Sequence, residues 1–157
     1  FSLDELVGLV DADWAGVVDS RRSTTGFIYY LNGGSVSWTS RLQSIVANSS
    51  AEAEYIAVHE AMKEGLWLKN ILKDLGENQT YFELREDNQA CISIAEDQLI
   101  NPRTKHIDVK FHSIRERVQA GDLKLKWVST HEQVADILTK GIGGKVFIMK
   151  RNSMLSF

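Results

Sequence analysis

The stretch Val10-Asp11-Ala12-Asp13-Trp14-Ala15-Gly16 puts two carboxylates at the end of an apolar run, Leu6 to Val10. Such a run is typical of a buried strand, and a buried carboxylate costs free energy unless it is paired or metal-bound. Alternate side chains of a strand share a face, so Asp11 and Asp13 point the same way and a site needs only one of them. Asp11 is therefore a candidate functional residue. The alternative is an aspartate-rich strand end that leads into a turn.

Two further strands are predicted directly after this stretch. A polar loop, Val17 to Thr24, precedes the aromatic and β-branched run Gly26 to Leu31, which is typical of a strand. Asn32-Gly33 supplies the positive φ angles of a tight hairpin, and Ser35 to Thr39 alternates as a returning strand should. We expect the first three strands to form an antiparallel meander.

A long helix is predicted from the capping box Ser49-Ser50-Ala51-Glu52 to the stop at Gly76. Helical spacing places one stripe on the core side: Glu54, Val58, Ala61, Gly65, Leu68 and Leu72. Small residues in that stripe would let the helix approach the sheet closely. Glu54 is a carboxylate at the N-terminal end of this stripe. An acid there can simply compensate the helix dipole, but Glu52 is expected to do so from the solvent side, so we favour a functional Glu54.

The fourth strand, Tyr81 to Arg85, introduces a third candidate acid. Asp87 lies where this strand meets a short helix, the usual location of ligand groups in α/β sheets. An ordinary aspartate cap is the alternative interpretation. After Pro102, a helix that ends at Gly121 leads to a fifth strand, Leu123 to Val128.

The C-terminal quarter has the weakest pattern. Ser129 to Gly141 predicts a last helix, in which Asp136 lies off the apolar stripe, so periodicity alone predicts that it is solvated. The tail from Lys145 to Phe157 is weakly periodic and is expected to be a frayed helix or a boundary remnant. We expect one domain over residues 1–157, with its core in about residues 6–142 and an uncertain tail, 143–157.

The composition indicates a soluble globular protein, with 43% hydrophobic and 25% charged residues. The lone Cys91 excludes an internal disulfide and a cysteine zinc cluster and is expected in the core. No membrane span or signal peptide is recognised, and a start at Phe1 suggests a longer polypeptide. The net charge of −3 argues against a general nucleic-acid binder, but residues 103–126 hold seven lysines and arginines against three acids. This basic strip favours a polyanion bound along one side.

The predicted order of elements, β-β-β-α-β-α-α-β-α, together with seven ordered motifs, resembles the ribonuclease H domain of Copia-type LTR-retrotransposon reverse transcriptases. The motifs are Asp11-Ala12-Asp13-Trp14-Ala15-Gly16, Arg21-Arg22-Ser23-Thr24-Thr25-Gly26, Ser37-Trp38-Thr39-Ser40, Ser49-Ser50-Ala51-Glu52-Ala53-Glu54-Tyr55, Asp87-Asn88-Gln89-Ala90, Arg103-Thr104-Lys105-His106-Ile107-Asp108 and Ala135-Asp136-Ile137-Leu138-Thr139-Lys140. The resemblance implies an α/β, ribonuclease H-like fold: a five-stranded mixed sheet, antiparallel in its first three strands and then parallel, flanked by helices.

By this resemblance the catalytic, metal-binding acids are Asp11, Glu54, Asp87 and Asp136. The implied chemistry is phosphodiester hydrolysis with two Mg²⁺ ions, for which Mn²⁺ would substitute, about 3.5–4 Å apart. Asp11 is expected to bridge both ions, Glu54 and Asp87 to complete one, and Asp136 to hold the other. Oxygen ligands without Cys or His suit a hard cation. Glu86 departs from the family pattern.

The implied substrate is the RNA strand of an RNA–DNA hybrid, and the implied partner is the polymerase domain of the same polyprotein, in cytoplasmic retroelement particles and without a membrane. Ser50 and Gln89 are candidate contacts to 2′-hydroxyls, with a cap and an exposed helix residue as alternatives. Arg103, Lys105 and Lys124 are candidate phosphate contacts, with a solvated face as the alternative.

Two other functions remain open. A catalytically inactive or domesticated copy would bind only nucleic acid or a partner protein, although the presence of all four acids favours activity. A transposase or integrase core resembles an Asp-Asp-Glu set with its glutamate on a late helix, whereas the candidate glutamate here is on the first. The four tryptophans are expected in the core rather than as stacking platforms: Trp14, Trp38, Trp67 and Trp127.

Overall fold

A mixed five-stranded sheet forms the centre of the molecule in the computed structural model, which describes residues 5–17, 19–96 and 108–155. The strands are β1 (Val7–Val17), β2 (Arg22–Leu31), β3 (Gly34–Leu42), β4 (Phe82–Glu86) and β5 (Leu123–Trp127). Their spatial order is β3-β2-β1-β4-β5, antiparallel within the first three strands and parallel from β1 to β4 and β5. The predicted sheet is therefore confirmed.

The first hairpin is longer than the sequence predicts. Val17 pairs with Arg22 after a register shift that begins at Asp13, so the two strands extend into both ends of the predicted polar loop. The buried Ser23 hydroxyl accepts a 3.1 Å hydrogen bond from the N–H of Ala15 on the opposite strand, a partner that polarity alone does not reveal. At the second hairpin, Asn32 and Gly33 have φ angles of 52° and 75°, which confirms the predicted tight turn.

Helix α1 (Ser50–Asp74) begins and ends as predicted. Ser49 is the N-cap, and its hydroxyl accepts a 3.2 Å hydrogen bond from the backbone N–H of Glu52. The helix stops before Gly76, which has a φ of 88°. The expected solvent position of Glu52 is wrong. Its carboxylate folds back to accept a 3.0 Å bond from the N–H of Asn48, which leaves the residue 9% exposed.

One face of the sheet is covered by α1 and, beside it, by α2 (Gln89–Glu96) and α3 (Asp108–Gln119). The core-facing stripe of α1 is confirmed, and the helix does lie close to the sheet. The Tyr29 hydroxyl donates a 2.6 Å hydrogen bond to the carbonyl of Ala61, and a Cβ at Gly65 would collide with Tyr29 and Phe82. Cys91 is fully buried in this core, as predicted.

The opposite face carries a smaller core under α4 (Asp136–Thr139) and α5 (Gly144–Leu155). Its buried members are Leu9, Ile28, Tyr30, Val134 and Ala135. The predicted last helix is much shorter than expected: α4 begins only after Ala135, which provides no side-chain cap, and the Ser129 hydroxyl donates to the Glu132 carboxylate. The weakly patterned tail forms a 12-residue helix. Among the described residues, no helix combines the length and apolarity needed to cross a membrane.

The tryptophans contradict the core prediction. Trp14, Trp38, Trp67 and Trp127 are each between 50% and 57% exposed. The indole N–H groups of Trp14 and Trp127 donate to the carbonyls of Ala47 and Asp87, at 3.2 and 3.1 Å. An indole at the rim of a sheet can keep this hydrogen bond while half of its ring remains in water, which a composition-based expectation does not capture.

Candidate active site

Three of the four candidate acids meet at one edge of the sheet. Asp11, Glu54 and Asp87 each offer a carboxylate oxygen, and these oxygens all lie within 4.8 Å of one another. Asp11 comes from the middle of β1, Glu54 from the first turns of α1, and Asp87 directly follows β4. The parallel pairing of β1 and β4 and the close approach of α1 to the sheet bring these distant positions together.

Burial makes this cluster electrostatically costly without a cation. Asp11 is 0% and Glu54 7% exposed. Burial, together with the neighbouring carboxylates, raises the pKa of Glu54 to about 11. Burial also raises the pKa of Asp11, against the opposing effect of hydrogen bonds from Thr139 and Lys140. Crowded, desolvated carboxylates of this kind are stabilised by a bound cation or a proton.

The donor set fits a hard divalent metal. All three groups offer oxygen, and no Cys or His belongs to the cluster. Asp87 Oδ2 accepts a 2.8 Å bond from the Thr130 hydroxyl. By contrast, Glu54 Oε2 is buried and has no hydrogen-bond partner. A buried carboxylate oxygen without a donor is costly, and a metal ion would satisfy it.

Asp136 is 4% exposed, so the solvated position predicted from helical periodicity is wrong. Gly26, which pairs with Asp11 across β1 and β2, explains the burial. A Cβ at Gly26 would lie 2.6 Å from Thr139 Cγ2 and 2.8 Å from Leu138 Cβ, so only glycine lets α4 pack this closely on the sheet. A four-residue helix has no stripe from which its buried side could be predicted.

Asp136 joins the cluster through a lysine. The ammonium of Lys140 lies 2.9 Å from Asp11 Oδ1 and 2.8 Å from Asp136 Oδ1, and the Thr139 hydroxyl donates to Asp11 Oδ2. Burial opposes the charge on Lys140, but Asp136 and Asp11 outweigh it and raise the pKa of this lysine. Lys140 therefore supplies positive charge between two of the four candidate acids.

Sequence reasoning missed the two lysines and the place of Glu86. Lys140 follows Asp136 by four residues, a helical spacing that could have identified it, whereas nothing local marks Lys150, the second lysine on Asp136. Glu86 is fully buried, and burial raises its pKa well above the usual range. Its Oε1 accepts a 3.0 Å bond from the N–H of Asn88, while its Oε2 has no partner.

The structure describes three of the five candidate nucleic-acid contacts. Ser50 and Gln89 are exposed, at the starts of α1 and α2, and the adjacent Ser49 rather than Ser50 is the cap. Lys124 is exposed on β5, with its ammonium 3.2 Å from the centre of the Tyr81 ring. The predicted phosphate contacts Arg103 and Lys105 lie outside the described residues.

No family model matches the chain. The chain is 47% identical over 135 residues, 86% of its length, to the retrovirus-related Pol polyprotein from transposon TNT 1-94 of Nicotiana tabacum. It is 40% identical over 138 residues, 87% of its length, to that from transposon RE1 of Arabidopsis thaliana. The chain spans only 10% and 9% of these two relatives.

Among solved structures, the fold is similar to that of LC11-RNase H1, which was crystallised in complex with an RNA/DNA hybrid. The TM-score is 0.64, at 16% identity over 86% of this chain and 94% of that one. At this identity the likeness concerns the fold alone.

Proposed function

Because the chain belongs to the Copia-type family of retrovirus-related Pol polyproteins and has the fold of ribonuclease H domains, we propose that it hydrolyses the RNA strand of RNA–DNA hybrids during reverse transcription. The observation that carries this proposal is the cluster of Asp11, Glu54 and Asp87, with the buried Asp136 joined to it through Lys140. An inactive copy would not need to keep four buried or half-buried acids at one sheet edge, because their mutual repulsion destabilises the fold.

The four acids would hold two divalent cations, Mg²⁺ or Mn²⁺, which when bound supply an activated water and stabilise the charge that develops at phosphorus and on the leaving 3′ oxygen. The protein keeps the acids in place. The Thr139 hydroxyl orients Asp11, and the Thr130 hydroxyl orients Asp87. Lys140 lowers the repulsion between Asp11 and Asp136.

Hybrid recognition would come from residues around this edge. Ser50 and Gln89 are exposed at two helix starts and would contact 2′-hydroxyls, the groups that distinguish an RNA strand from DNA. Arg103, Lys105 and Lys124 would contact phosphates and fix the position of the duplex without reading its sequence. The similarity of LC11-RNase H1, which was solved with a hybrid, supports this substrate class.

The setting of this activity is also a proposal. Since the chain matches about a tenth of each Pol polyprotein, the remaining nine-tenths would include the polymerase domain that produces the hybrid. By the same family relationship, the reaction would take place in cytoplasmic retroelement particles.

A cleavage assay tests the proposal. A labelled RNA–DNA hybrid is incubated with the protein in Mg²⁺, in Mn²⁺ and in EDTA, beside double-stranded RNA and double-stranded DNA. We expect metal-dependent cutting of the RNA strand in the hybrid alone. Asp11→Asn should abolish cutting, whereas Asp13→Asn, the matched control on the same strand, should not. Equal cutting by the two variants would contradict the assignment of Asp11, and no cutting by the parent would favour an inactive copy.

A further inference from the structure

The tail helix α5 contributes a side chain to the candidate active site. Lys150 is 4% exposed although it lies on a helix whose neighbouring residues, Met149 and Arg151, are exposed. A lysine is almost never this deeply buried unless its charge is paired. From its contacts, and on the basis of the function proposed above, we propose that Lys150 is a positioning residue that holds Asp136 in its working orientation.

All three N–H donors of the Lys150 ammonium have an acceptor. Nζ lies 2.8 Å from the carbonyl oxygen of Thr130 and 2.8 Å from that of Gln133, and it also bonds Asp136 Oδ2. An ammonium has three donors and no acceptor, so these contacts saturate it. Lys150 thus fixes the carboxylate of Asp136 and the backbone of the loop that leads to it at the same time.

The same loop is tied to the strand that carries Asp11. The side-chain amide of Gln133 is fully buried and donates a 2.8 Å hydrogen bond to the carbonyl of Val10, the residue before Asp11. A continuous set of hydrogen bonds therefore runs from Lys150 through Gln133 to β1. The distance between Asp136 and Asp11 depends on this connection, because the two acids lie on different segments of the chain.

The two lysines on Asp136 have different roles. Lys140 contacts Oδ1, its side chain is 39% exposed, and it can therefore turn into solvent when a metal ion takes its place. Lys150 contacts Oδ2, its side chain is 5% exposed, and its other two bonds go to backbone carbonyls. In this inference, Asp136 Oδ1 is the oxygen available to bind a metal ion, and Asp136 Oδ2 is the oxygen that Lys150 holds in place.

The substitution Lys150→Met tests this inference, with Lys145→Met as the matched control on an exposed position of α5. Both variants are assayed below their melting temperatures. We expect kcat at saturating Mg²⁺ to fall about 10–100-fold for Lys150→Met, the usual effect of removing a group that orients a metal ligand. The KM for the hybrid should not change, because a buried Lys150 does not reach the substrate. Mn²⁺ should bind the metal-free variant more weakly by calorimetry.

A double-mutant cycle with Asp136→Asn separates positioning from a general effect. A residue that acts through Asp136 should add little to the loss already caused by Asp136→Asn, so the two changes should be strongly non-additive in kcat. If Lys150→Met does not fold, Lys150→Gln replaces it in all measurements, since an amide keeps hydrogen-bond donors near Asp136 but loses the charge.

Three results would overturn the inference. Tighter Mn²⁺ binding with a parental kcat would make Lys150 only a counter-ion of Asp136. A lower melting temperature with parental kcat and metal binding would make it only structural. Additive losses in the cycle would mean that it does not act through Asp136. If the parent itself does not cut hybrids, the proposed function fails, whereas the comparison of Mn²⁺ binding still tests Lys150.

Discussion

Substitution of Gly26 by alanine would move α4 away from the sheet. The added methyl group would lie 2.6 Å from Thr139 Cγ2, 2.8 Å from Leu138 Cβ and 3.2 Å from the carbonyl oxygen of Ala135. Carbon atoms in contact prefer separations of about 3.5–4.0 Å, so α4 would have to shift by roughly 1 Å. Overpacking of this kind costs about 1–3 kcal/mol, which lowers the melting temperature of a protein of this size by about 2–12 °C.

The shift would also disturb the candidate active site, because Thr139 at the end of α4 and Lys140 directly after it both contact Asp11. We therefore expect Gly26→Ala to lose both stability and hybrid cleavage, measured by thermal unfolding and by initial cutting rates.

Gly34→Ala is the control, since the nearest atom to its added methyl group would be 3.8 Å away. Both substitutions reduce the freedom of the unfolded chain equally, so their difference isolates the collision at Gly26. Equal melting temperatures and equal rates for the two variants would refute the reasoning that Gly26 controls the place of α4.

Three further predictions concern stability. Asp136→Asn removes the charge that pairs with the buried Lys150, so we expect the unfolding free energy of the metal-free variant, measured in urea, to be about 1.5–3 kcal/mol lower. A higher unfolding free energy would mean that relief of the repulsion between the carboxylates dominates. Burial opposes ionisation of Glu83, but hydrogen bonds from Lys126 and Arg85 outweigh burial and lower the pKa of this carboxyl group. The ionised Glu83 therefore stabilises the folded protein above the unfolded pKa of about 4.3, and this stabilisation is lost as the pH falls through the lower folded pKa. In urea titrations at several pH values, Glu83→Gln should therefore lose less unfolding free energy than the parent as the pH falls. An unchanged pH dependence would contradict the stabilising ion pairs of Glu83. Ser49→Ala should cost about 1 kcal/mol by loss of the α1 cap, against no loss for the exposed Ser50→Ala.

The regular part of the fold could be predicted because its signals are local. The Asn32-Gly33 turn, the Ser49 cap and the stripe of α1 each involve residues close in the chain, and the structure confirms all three. The position of Glu54 follows from the same stripe. Asp11 could be proposed because a carboxylate that follows an apolar run is conspicuous, and Asp87 because it follows a recognisable strand; the structure brings both to Glu54.

The errors arose where polar side chains make hydrogen bonds that a hydrophobic pattern does not record. Glu52 was expected in solvent but bonds Asn48, and the tryptophans were expected in the core but keep half of each ring in water. The predicted last helix is only four residues long, and the Ser129 hydroxyl donates to the Glu132 side chain. Helical and strand periodicity records hydrophobicity, and it does not record which polar groups will find partners.

The sequence by itself determined the order of the elements as far as the short helix α4 and made three of the acids candidates, because hydrophobic period, turn residues and caps act over a few neighbouring residues. Only the tertiary structure decided the burial of Asp136, which needs the absent side chain of Gly26, more than a hundred residues earlier. It also decided the burial and contacts of Lys150, whose helix has no clear pattern of its own and is held by Tyr30 and by the loop before Asp136. Such contacts depend on how separate segments pack, and no local pattern of residues encodes them.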